Sequence, residues 1–233
     1  MLNENEIDEI YHKFVEINYT HEYANKYVPL PTQYNDKNWR WEGKDFPRII
    51  SLLEFREYML EYDRTFDDVL SFNGFDDPEY EYLKFKNSYN YNYTDDKINY
   101  DLHNLNIEKK DFDFAMFNQT IEHLYDPIVA IKNIYKHMKI GGMFYANVPA
   151  NNIPHGTPQH FYTGITPMGL GAMVKLAGFD ILKIGQWGNL PYYKQAFDNR
   201  WSDYQHMGSI TDNPGHNDLG CPLITWCLAI KNK

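Results

Sequence analysis

The chain is poor in the residues that would place it in a specialised class. Its 233 residues include two cysteines, Cys221 and Cys227. They are too few and too isolated for a disulfide framework or a cysteine zinc site, so core packing is the role expected of both. No apolar run reaches the length of a membrane span. The opening MLNENEIDEI has neither the basic nor the apolar stretch of a signal peptide, so a cytoplasmic protein is expected. Positive charge is scarce as well: 22 Lys and Arg against 32 Asp and Glu give a net charge of −10. Without a basic cluster the sequence disfavours a nucleic-acid partner and a membrane surface, and favours a small-molecule substrate. A homo-oligomer is left open. Glycine is sparse where a nucleotide-binding turn would need it: DVLSFNGFDDPEYEYL carries only Gly74.

Other residues are plentiful. Hydrophobic residues make up 43% of the chain, enough for a packed core, and aromatics make up 17%, with 20 tyrosines that can supply both area and hydroxyls to a cleft. Ile7, Ile10, Tyr11, Phe14 and Ile17 predict a helix over 3–18. Ile49, Leu52, Leu53, Met59 and Leu60 predict another over 48–62, only partly buried because Arg56 interrupts its stripe. After DDVLSFNG, a strand running into a turn, strand and helix signals alternate. SYNYNYT and KINYDL read as short strands, and FDFAMFN reads as a strand buried on both faces. DPIVAIKNIYKHMKIGG is a helix with Pro127 in its first turn, ending in a Gly141-Gly142 turn before the strand MFYANVP. TPMGLGAMVKLAGF is a capped helix, and DILKIGQWG and PLITWCLAIK are the last strands. This pattern implies an α/β, Rossmann-like, doubly wound and mostly parallel sheet of seven strands. Residues 1–66 form an N-terminal helical extension and 67–233 the main domain. The stretch 187–220 is a long insertion expected to act as a substrate lid.

The block from DLHNLN through FDFAMFNQTIEHLYDP, the IGG turn and the PHGTPQHFYTGITPMGLGAMVKLAGF tail resembles class I S-adenosylmethionine-dependent methyltransferases, in their small-molecule branch. The match spans about 101–186 as an ordered set. The resemblance implies S-adenosylmethionine as cofactor and S-adenosylhomocysteine as product. It assigns Asp101 and Leu102 to the adenine, Asn118 and Gln119 to the methionine end, and Asp95 or Asp96 to the ribose. Ser71, Asn73 and Gly74 stand in the first cofactor turn, which departs from the family pattern in keeping a single glycine. The Val69-to-Asp101 spacing is short, so the helix between the first two strands should be clipped.

Transfer to a hydroxyl needs in-line alignment and a group that takes its proton, for which histidine is best suited. His155 and His160 lie in the loop after FYANVP, with His155 the preferred base. His123 follows a Glu-His step whose role is as much structural as catalytic. The spacing of His155 and His160 suits no standard metal motif, and no metal site is expected, although His206, Asp212, His216 and Asp218 add potential ligands in the insertion. Trp187, Tyr192 and Tyr193 are candidate walls for a sugar or ring. The expected activity is O-methylation, less readily N-methylation, of a small polar metabolite such as a nucleotide sugar or another precursor of surface polysaccharide. The alternative is a methyltransferase-like partner or scaffold protein without a cofactor. The strand end FNQT lacks the Pro-Pro-aromatic step of enzymes that methylate base amino groups.

Overall fold

The computed structural model describes residues 1–19, 46–73, 77–199, 216–218 and 220–233. Six strands form one sheet: β1 (Thr65–Ser71), β2 (Lys84–Asn90), β3 (Phe112–Asn118), β4 (Met138–Pro149), β5 (Asp180–Trp187) and β6 (Ile224–Ile230). Their order across the sheet is β2-β1-β3-β4-β6-β5. The first four run parallel, and β6 is antiparallel to both of its neighbours, β4 and β5. The expected α/β fold is present, with six strands rather than seven among the described residues. KINYDL makes no strand because the Asp96 carboxylate accepts the backbone N–H groups of Ile98 and Asn99, each at 3.0 Å, and closes a turn there. Between β1 and β2 stands a single 3₁₀ turn, Pro78–Tyr82, as the short spacing implied.

Two apolar layers sandwich the sheet. On one face, helices α3 (Pro127–His137) and α4 (Pro167–Ala177) pack with β3 and β4. Both begin as predicted, with Asp126 and Thr166 as N-caps ahead of a proline, and α4 ends at Gly178, φ 110°. The N-terminal segment, α1 (Glu4–Glu9) continued by a π-helical turn at Ile10–Val15, adds Ile10, Phe14 and Val15 to this same core. On the other face lies α2 (Phe46–Tyr62), whose Ile49, Leu53, Phe55, Tyr58 and Met59 pack against Tyr145, Trp187 and Trp226. This helix is buried more deeply than its interrupted stripe predicted, since Ser51 and Glu54 are buried too, whereas Leu60 is exposed.

The glycine pair lies inside β4 rather than ahead of it. Helix α3 passes directly into the strand, and the pairing with β3 skips from Phe112↔Met138 to Phe114↔Met143. The bulge needs Gly141 at φ 78°, and it leaves a Cβ on Gly142 only 2.9 Å from the Lys139 carbonyl oxygen. Strand β3 is buried at all seven positions. Cys227 sits in the core, and burial pushes its thiol up; Cys221 is half-buried. No helix among the described residues is long and apolar enough to cross a membrane. Of the expected lid, 187–220, residues 200–215 and 219 lie outside the described residues; α5 (Leu190–Asn199) and short flanks are described.

Candidate functional site

A cavity of about 450 Å³ opens beyond the carboxyl ends of the parallel strands, the place where open α/β sheets take ligands. Each of the first four strands supplies a wall. Phe72 and Asn73 follow β1; Tyr91, Asn92 and Tyr93 follow β2; Thr120, His123, Leu124 and Tyr125 follow β3; Gln159 and Phe161 come from the loop after β4. Tyr100 to His103 complete the lining.

The aromatic end is pre-arranged. Tyr91 and Tyr100 meet edge to face at 5.0 Å, and His103 stacks on Tyr125 at 3.7 Å. Asp101 caps the 3₁₀ turn Leu102–Asn104: its Oδ1 accepts the His103 backbone N–H and lies 2.9 Å from His103 Nδ1. Leu102 is fixed by Asn133, whose side chain donates to its carbonyl at 2.9 Å. Asp101 and Leu102 both line the cavity, held by a turn instead of a strand end.

A buried polar chain supports the strand ends below. Arg48 of α2 grips Glu79, which is fully buried, through two bonds of 2.5 and 2.7 Å. The Asn147 side-chain amide donates to Glu79 at 3.1 Å and to Asn118 Oδ1 at 2.7 Å, and the Asn118 amide reaches Asp77 at 3.2 Å. Gln119, at φ 47°, turns its amide onto Asn147 Oδ1 at 2.7 Å. Neither Asn118 nor Gln119 lines the cavity; both work behind its wall. Asn73 does line it, donating to the Asn118 carbonyl and accepting from Thr120 Oγ1. Burial alone would lower the Arg48 pKa, but the Glu79 carboxylate more than offsets it, and the guanidinium is held charged.

Five further predicted residues lie outside the cavity lining. Trp187 and Tyr192 are fully buried and Tyr193 packs beside them in the α2 core, so these rings are structural rather than cleft walls. The alternation of β5 turns Trp187 onto that face, where it meets Tyr192 edge to face at 5.4 Å. Ser71 is buried too, with its hydroxyl between Tyr80 and Asn90, because it still belongs to β1. Asp95 is exposed in the turn after Asn92, and Asn92 takes the place in the cavity lining. Gly74 lies outside the described residues, as do His206 and Asp212.

His123, His155 and His160 come together, with ligating atoms within 4.8 Å of one another. The loop after β4 brings this about. Its neck is tied by Asn152 N–H to the Thr163 carbonyl and Ile165 N–H to the Pro149 carbonyl, and its far side by Phe161 and Tyr162 N–H groups on the Glu122 carbonyl. His123 Nδ1 donates to the Gln159 carbonyl at 2.6 Å. His155 Nδ1 meets the Ile153 carbonyl at 3.0 Å, closer than the 3.3 Å approach of the Asn152 amide. Both nitrogens of His160 are shielded and without a partner among the described residues, as is Glu122 Oε2. Burial lowers the His160 pKa, helped by His155 and His123. Burial raises that of Glu122, against the pull of its own backbone N–H and of His123 and His155.

Sequence reasoning missed Tyr91, Tyr93, Tyr100, His103, Tyr125 and Phe161. The tyrosine count was the only signal, and it did not say which tyrosines.

Residues 77–146 match the methyltransferase domain family. No curated protein matches the chain. Among solved structures, a S-adenosylmethionine-dependent methyltransferase from Clostridium acetobutylicum is similar over 90% of this chain and 99% of its own, with 14% identity and a TM-score of 0.52. The N-methyltransferase NodS from Bradyrhizobium japonicum, in complex with S-adenosyl-L-homocysteine, is similar over 90% of this chain and 100% of its own, with 11% identity and a TM-score of 0.51. At such identities the likeness is one of fold.

Proposed function

We propose, from the premise that this chain carries a class I S-adenosylmethionine-dependent methyltransferase domain, that it methylates a small polar acceptor, with a hydroxyl of a nucleotide sugar as the first candidate. The observation that carries this reading is the cavity itself, walled by residues from the ends of four parallel strands, with Tyr91, Tyr100 and Tyr125 in its lining and His123 of the histidine cluster on its wall. Its volume is that of a small-molecule site.

In this reading Tyr91, Tyr100 and Leu102 take the adenine, and Asn92 faces the ribose in place of Asp95. Asn73 and Thr120 line the passage toward the methyl. The acceptor oxygen attacks the methyl carbon in line as the carbon–sulfur bond breaks. Alignment supplies most of the rate, and the His123–His155–His160 cluster deals with the acceptor's proton. The abundance of tyrosine around the cavity supports a ring-bearing polar acceptor, since a phenol gives both a face and a hydroxyl.

Calorimetric titration with S-adenosylhomocysteine tests the cofactor half. Binding is expected, and Thr120→Trp, which fills the passage, should abolish it while the protein stays folded. The single glycine of the first cofactor turn favours a second reading, a cofactor-free partner protein. Absence of binding at millimolar ligand to folded protein would sink the cofactor half and leave the second reading standing. Transfer of labelled methyl groups to hydroxyl-bearing against amine-bearing acceptors decides between O- and N-methylation.

A further inference from the structure

The histidine cluster holds more than a base requires. One general base needs one ring and one orienting partner; here three rings converge from two separate segments. A carbonyl can only accept, so His123 carries its proton on Nδ1, toward the Gln159 carbonyl, and keeps a bare lone pair on Nε2, which is how outer partners orient metal-binding imidazoles. His155 Nδ1 lies 3.0 Å from the Ile153 carbonyl and 3.3 Å from the Asn152 amide, and bonding to the carbonyl leaves its Nε2 bare in the same way. His160 has no hydrogen-bond partner for either nitrogen among the described residues, although both are shielded from solvent. A buried polar group left in that state carries an unrepaid desolvation cost, and something bound there would remove it. Beside it, Glu122 Oε1 lies 3.8 Å from His123 Nε2, and Glu122 Oε2 is likewise buried without a partner.

We propose that His123, His155 and His160 hold a divalent transition-metal ion of the zinc, iron(II) or cobalt(II) class, with the Glu122 carboxylate beside it. Three neutral imidazoles and a carboxylate are the donors such ions prefer, whereas calcium and magnesium take oxygen sets. Metal–nitrogen bonds of about 2.0–2.1 Å place tetrahedral nitrogens roughly 3.3 Å apart, so the cluster has to draw in by about 1.5 Å at its widest. His155 has the freedom for this, being exposed on a loop. With the three imidazoles as ligands and Glu122 as an outer partner, a tetrahedral ion keeps its fourth position for a further ligand, and His123 joins the site to the cavity wall. That an acceptor hydroxyl occupies this position, and gives up its proton to solvent more readily there, rests on the reading above; the ion itself does not.

The test uses tag-free protein stripped with chelator. Cobalt(II) is added and followed by its visible d–d absorption, and zinc(II) is added by calorimetry. One ion per chain is expected, with affinity falling more than about 100-fold in His155→Ala and in His160→Ala and unchanged in His12→Ala. His155→Ala alters an exposed loop side chain, so it reports even where His160→Ala fails to fold. No saturable binding at millimolar metal, or binding that both variants leave intact, overturns the proposal. Titrating S-adenosylhomocysteine into the stripped protein separates the two readings. Cofactor binding without any metal site leaves the methyltransferase and removes the ion; metal binding without cofactor does the reverse.

Discussion

At the scale of single residues, the buried charge of Glu79 governs what the cavity rests on. Its partner Arg48 is itself largely covered, and Asn147 depends on the same carboxylate. Removing one member of a buried pair leaves the other uncompensated, so Glu79→Ala should cost about 3–5 kcal/mol in urea unfolding. Arg48→Met combined with Glu79→Leu should cost less than the single change, because no orphaned charge remains. A second ion pair has a pH signature. The bond from Lys109 holds the Asp68 carboxyl below its ordinary value, and the same bond raises Lys109. A lowered carboxyl contributes stability above its unfolded value and loses it as pH falls; a raised ammonium contributes below its unfolded value and loses it as pH rises. The pair is therefore complete between roughly pH 4 and 10. Lys109→Met should lower stability by under about 1 kcal/mol at pH 7, and by progressively less in denaturation curves taken toward pH 2. Little at this scale could be read in advance. The resemblance brought Asp101 and Leu102 forward, and both line the cavity, but nothing in the local sequence said that Trp187 turns into the core or that Asn118 faces Asn147.

Elements were more legible, for a physical reason. Strand β3 and helices α3 and α4 are specified locally, by seven consecutive buried positions and by cap–proline starts. Strand β2 carries no such pattern. Its first four residues are exposed, and it exists as an edge strand because β1 offers a parallel ladder. Its neighbour KINYDL, equally unpatterned, went to a turn once Asp96 captured two backbone donors. The loop after β4 is the element on which the histidines depend, and Gly164 is its weak point. A Cβ there would lie 2.0 Å from the Ala150 carbonyl oxygen, with backbone on both sides of the clash. Gly164→Ala should destabilise the protein by about 1–3 kcal/mol and speed amide exchange across 150–165, measured by mass spectrometry. Unchanged exchange there would sink this account of the neck.

For the molecule as a whole, the doubly wound fold followed from the alternation of elements, while the meeting of His123 with His155 and His160 depended on tertiary closure that no spacing rule encodes. The N-terminal segment shows the same dependence. Read as an extension, it nonetheless contributes to the principal core, with Ile10 packed where Gly171 leaves no room for a side chain. Ile10→Ala should therefore cost about 2–5 kcal/mol, and Ile17→Ala, at an exposed position, within about 0.5 kcal/mol; paired denaturation curves measure both. The neck of the loop after β4 carries a consequence of another kind. Main-chain bonds from Asn152 and Ile165 close it, and almost any residue can supply such bonds. Apart from Gly164, descent can rewrite the side chains between the two ties without disturbing the sheet. The loop is a replaceable cassette on the frame of the sheet, and a change in what the protein accepts can be built within it first.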